Sequence, residues 1–109
     1  MSKSELTDAK IRDLRFRIFS EQSGRCFTCG EPVAITAMEL AHRIPDRKWT
    51  MKLWGAAVIN HKMNLRGTHA GRCNSHAQLN PDSLEAERLV RDIQRDLKRS
   101  RERVRGGPR

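Results

Sequence analysis

Cys26-Phe27-Thr28-Cys29-Gly30 is the stretch that decides how this chain folds. A Cys-x-x-Cys pair followed by glycine closes a tight knuckle, in which backbone amides point at the sulfurs and both thiolates reach one ion. The chain has 3 cysteines, and an odd count with one close pair argues against a disulfide framework. A redox pair would open a helix after a strand, and this pair lacks that setting. Cys73 supplies a third thiolate, so a tetrahedral structural Zn2+ needs one histidine more. His69 lies before Cys73 across the Ala70-Gly71 turn, and His76 lies on the helical turn after it. Spacing alone favours His76, because Cys-x-x-His closes easily on a helix.

The composition agrees with a metal staple. With 109 residues the chain makes one domain, and with 37% hydrophobic and 5% aromatic residues its core is thin. The net charge of +9 favours a polyanionic partner, nucleic acid above all, because Lys and Arg contacts to phosphate release counterions. No apolar run approaches the roughly 18 residues of a membrane span, so no membrane partner is expected. Met1-Ser2-Lys3-Ser4-Glu5-Leu6 lacks the apolar centre of a secretory signal. A cytoplasmic location follows as the expectation, with thiols reduced and free to bind metal.

Outward from the knuckle, Thr7 or Asp8 caps a helix running to about Gln22, with Ile11, Leu14, Ile18 and Phe19 on one face and Gly24 ending it. Val33 to Leu40 reads as a strand that carries on into Met38-Glu39-Leu40-Ala41-His42-Arg43-Ile44-Pro45. Trp49 and Trp54 stand among Lys and Arg, where core packing competes with base stacking. Ala56-Ala57-Val58-Ile59 suits a second strand, and the two glycines of 66–74 require a turn. Cys73 begins a short helix ending near Asn80-Pro81. Asp82 or Ser83 then caps a long helix whose stripe of Leu84, Leu89, Val90, Ile93 and Leu97 faces the core or a homodimer partner. Residues 98–109 form a basic tail, expected to fray and to serve as a phosphate-binding arm through Arg99 and Arg101.

Taken in order, Cys26-x-x-Cys29-Gly30, a strand carrying His42 ahead of Ile44-Pro45, Asn64-Leu65, a further ligand and Cys73-Asn74 resemble the HNH endonucleases. These are nucleases of the ββα-metal, or His-Me finger, class, and the likeness covers roughly residues 24–81. It implies an α+β fold: a small, zinc-stapled, treble-clef-like ββα-metal core flanked by an N-terminal and a long C-terminal helix. The domain would span 1–97. The family often has a cysteine five residues after its central Asn, a place His69 occupies here, so the resemblance favours His69 over His76 beside Cys26, Cys29 and Cys73. It makes His42 the general base and Asn64 the residue that holds the base-bearing loop. It makes Asn74 a ligand of a catalytic divalent cation, Mg2+, Mn2+ or Ni2+.

One position departs from the pattern. The residue before the base is usually a metal-binding Asp or His, and here it is Ala41. Glu39, on the same side of a strand, and His61 are the candidate substitutes. The expected activity is nicking or cutting of double-stranded DNA, with Arg43, Arg47, Lys48 and the tail on flanking phosphates. Two other readings compete: a zinc-dependent DNA-binding module without cleavage, and a zinc-stapled protein-interaction domain using the last helix.

Overall fold

The computed structural model describes residues 7–106, with side chains through Arg103. Helix α1, Asp8–Glu21, starts where Thr7 Oγ1 accepts the Lys10 amide and ends at the Gln22 cap. The Gly24 amide closes that end on the Phe19 carbonyl at 2.9 Å. This is the helix the sequence predicts, with Ile18 buried and Leu14 and Phe19 packed beside it.

The sheet has two antiparallel strands, β1 (Glu39–His42) and β2 (Leu65–Thr68), paired from Glu39↔Thr68 to His42↔Leu65. Both differ from expectation. β1 begins at Glu39 rather than Val33, because the Ala37 and Met38 amides both return to the Ala34 carbonyl in a turn. The second strand is not Ala56–Ile59, which is the short helix α3. Val58 and Ile59 are both buried against the last helix, and consecutive side chains reach one core from a helix but point to opposite faces from a strand. Gly67 lies inside β2 instead of making a turn. A Cβ there would overlap the buried Met38 side chain, so glycine lets the two strands' neighbours approach. Gln22 seals β2 from α1, its amide pairing with both the N–H and the carbonyl of Gly67.

Between the strands come α2 (Lys48–Trp54), α3 and a 3-10 turn at Lys62–Asn64. Helix α2 is set by the buried Thr50 hydroxyl, which accepts the Arg47 amide and donates to the Pro45 carbonyl at 2.6 Å. Trp54 packs on the core as expected, whereas Trp49 is 47% exposed. After β2, α4 covers only Arg72–His76, shorter than the predicted run to Asn80. Ser83 Oγ accepts the Ala86 amide and starts α5, which continues from Leu84 to Gly106. The helix therefore does not stop near 97. Residues 98–106, expected to fray, extend it, and 107–109 lie outside the described residues.

Two apolar clusters hold the molecule. One joins Ile44, Val58 and Ile59 to Ala86, Val90 and Ile93 of α5. The stripe that was open to a homodimer is thus covered by its own chain, and Leu84, assigned to it from the sequence, is 60% exposed. The other joins Ile18, Cys26, Val33, Met38 and Leu65 beneath the knuckle. Among the described residues no helix is long and apolar enough to cross a membrane.

Candidate functional site

The knuckle is built from backbone bonds. The Cys26 amide donates to the Glu31 carbonyl at 2.8 Å and the Gly30 amide to the Cys26 carbonyl at 2.9 Å, with Gly30 at φ +78° making the return. The Phe27 amide ties this loop to the Gly67 carbonyl of β2. His69 follows β2 directly, and Cys73 is the second residue of α4. One ligand atom from each of Cys26, Cys29, His69 and Cys73 lies within 4.8 Å of the others. Ligands about 2.3 Å from a tetrahedral zinc stand roughly 3.8 Å apart, so this group closes on an ion with small adjustments. His76 is exposed and outside the group, so the family pattern, and not local spacing, identified the fourth member.

His69 is prepared for a metal. Its Nε2–H donates to the Pro32 carbonyl at 3.1 Å, which leaves the Nδ1 lone pair turned to Cys29 Sγ at 3.4 Å. The Thr28 hydroxyl steadies Cys73 through its carbonyl at 2.6 Å. Burial pushes the Cys26 thiol up, but the amides of Cys29, His69 and Thr28 outweigh it and bring it down to about 6. Burial and the neighbouring Cys26 and Cys29 sulfurs push Cys73 up to about 11. Three thiols at one point cannot all ionise without a cation to share. The group can hold a metal ion, and its sulfur and imidazole donors suit zinc.

His42 ends β1, half-buried. Its Nε2–H donates to Asn60 Oδ1 at 3.0 Å, so Nδ1 carries the lone pair able to take a proton. Asn60, the partner of this candidate base, is a residue that sequence reasoning left without a role, because nothing in the spacing pairs residues 18 apart. Asn64 is wholly buried. Its Oδ1 accepts the Ile44 amide at 2.7 Å, and its Nδ2 donates to the carbonyls of Ile44 and Ile59 at 3.1 and 2.8 Å. Its own carbonyl accepts the Arg43 amide. Asn64 therefore clamps the two residues that follow His42.

Of the candidate cation ligands, two meet. Asn74 Nδ2 donates to Glu39 Oε1 at 3.0 Å, bringing α4 onto the start of β1. His61 does not join them. Its Nδ1 accepts the Met63 amide and its Nε2–H donates to Asp96 Oδ2 at 2.9 Å, so neither nitrogen is left for an ion. That hydrogen bond, ahead of any charge nearby, holds the Asp96 carboxyl below its usual range. Ala41 is buried and paired with Arg66, and offers no donor.

The predicted phosphate contacts separate into two kinds. Arg43 is committed inside the protein: its guanidinium lies 4.8 Å from the Phe27 ring centre, 3.3 Å from Glu85, and is 14% exposed. Arg66 approaches the same ring at 5.3 Å, and burial, then the Arg43 charge, lowers its pKa. Arg47, Lys48, Arg99 and Arg101 are exposed, Arg99 lying 4.0 Å from Asp96. No family model, curated protein or solved structure matches this chain.

Proposed function

We propose that the protein is a zinc-stapled DNA endonuclease of the HNH kind, working by metal-dependent hydrolysis with His42 as general base. The observation that carries this reading is the His42–Asn60 bond, which fixes one tautomer and leaves Nδ1 free at the end of β1. The chain order β1, β2, α4 with the knuckle ahead of it supports a ββα-metal, treble-clef-like core. Zinc held by Cys26, Cys29, His69 and Cys73 would join the knuckle to the far side of that unit.

The free lone pair on Nδ1 of His42 can take the proton of an attacking water. Asn60 orients the ring and Asn64 keeps the following backbone in place. Glu39 and Asn74 are the oxygen donors for a divalent cation, a hard donor set that suits Mg2+ or Mn2+. When bound, that cation relieves negative charge on the phosphate oxygens during displacement. Arg47, Lys48, Arg99 and Arg101 are placed to hold flanking phosphates.

A second reading, a zinc-dependent DNA-binding module without cleavage, is favoured by Ala41, which provides no ligand where the HNH pattern has one. Incubation with supercoiled plasmid separates the two. With Mg2+, Mn2+ or Ni2+ added we expect nicked circles, and none when the added cation is omitted. Duplex binding with no nicking under any of the three would establish the module instead.

A further inference from the structure

Helix α1 and the turn at Asn60–Lys62 enclose a groove of about 330 Å³ that no predicted site residue except His61 touches. Lys10, Asp13, Leu14 and Arg17 line it from α1, at the spacing that puts all four on one helix face. Lys62 and Asn60 line it from the other wall. Lys10, Arg17 and Lys62 are exposed, and none forms an ion pair among the described residues. Asp13 is the one acid among the lining residues, so the groove keeps a surplus of positive charge. Asn60 connects it to the candidate base: its Oδ1 holds His42, while its Nδ2 has no partner among the described residues.

We propose that this groove binds consecutive phosphates of a DNA strand beside the phosphodiester presented to His42. The proposal rests on DNA being the substrate. Lys10 and Arg17 are seven residues apart, about 10 Å along a helix, which exceeds a single phosphate and suits a run of them. Cations gathered in a groove focus the field on a polyanion more than the same charges scattered over a surface. Leu14 gives the groove an apolar floor against which a sugar can lie.

The test is the salt dependence of binding of a short fluorescein-labelled duplex to the full, zinc-loaded chain, without added divalent cation. Each lost phosphate contact lowers the slope of log K against log salt by about 1. The variant Lys10→Ala/Arg17→Ala/Lys62→Ala is expected to lose about 2 to 3 from the slope. A charge-matched control away from the groove, Arg12→Ala/Arg72→Ala/Arg91→Ala, is expected to lose less than about 1. Should the triple variant misfold, each single variant is expected to lose about 1. An unchanged slope in the groove variants, an equal loss in the control, or no duplex binding by the wild type would overturn the groove. Groove-dependent binding without nicking would leave it standing and remove the endonuclease reading. Nicking that depends on His42 with an unchanged slope would do the reverse.

Discussion

At the scale of single residues, the site depends on how two asparagines use their amides. Asn64 spends three hydrogen bonds on the backbone of Ile44 and Ile59, so it fixes where the chain goes after His42. Asn60 spends its oxygen on the imidazole itself. Orienting partners of this type are worth roughly 10–100-fold in function. Asn60→Ala is accordingly expected to slow nicking by about that factor. Asn60→Asp, which still offers an oxygen to Nε2–H, should recover much of the rate. Nicking rates of both variants, with far-UV dichroism to show the fold is kept, check this. Equal loss in the two variants would mean that Asn60 supports the fold and does not orient the base. Ala41 was legible as a departure from the HNH pattern, and Glu39, two positions back on the same face of β1, is the residue that reaches Asn74.

At the scale of elements, the parts of the chain with local signals were readable and those fixed by distant packing were not. The cap at Thr7, the knuckle glycine and the Ser83 start of α5 are written within a few residues of where they act. Ala56–Ile59 carries no such signal; it is a helix because α5, some thirty residues on, needs Val58 and Ile59 on one side. His61 looked like a ligand by proximity to Asn64, but Asp96 on α5 claims it. Cys26, Cys29 and Cys73 were plain from their spacing, whereas the choice of His69 needed the family order, since the pairing of β2 with β1 that brings it to the knuckle is not visible locally. Gly67 reads as a turn residue and is a close-approach residue instead. Gly67→Ala must displace the buried Met38, at an expected cost of about 1–3 kcal/mol. Chemical denaturation will measure it, and Gly67→Ala/Met38→Ala should then lose less than the two single variants summed. A neutral Gly67→Ala would show that Met38 has room to move.

For the whole molecule, the candidate metal site and α5 do different work. The α5 cluster contains none of the four candidate ligands, while the cluster around Cys26 and Met38 lies directly beneath the knuckle. Removing bound zinc is expected to unfold the knuckle, the β1–β2 sheet and α4, because a metal's binding free energy is folding free energy in sites of this kind. Zinc displaces protons from its ligands, so affinity must rise with pH. Between pH 7 and 9 at least one proton leaves, that of Cys73, which is pushed up to about 11. Below about 6 Cys26 also takes up a proton, and affinity falls one further factor of ten for each pH unit. Competition with a chromophoric chelator at several pH values measures the slope. A flat affinity across this range would contradict a thiolate site. Under the proposed function, the net charge of +9 would serve DNA in the groove of α1 and through Arg47, Lys48, Arg99 and Arg101.

The proposed mechanism turns on His42. The most direct measurement is the rate of plasmid nicking by His42→Ala at saturating divalent cation, in protein that keeps its zinc and its duplex affinity. The account predicts a loss of about 10²–10⁴-fold, the usual contribution of a positioned general base. Nicking at the wild-type rate would contradict it.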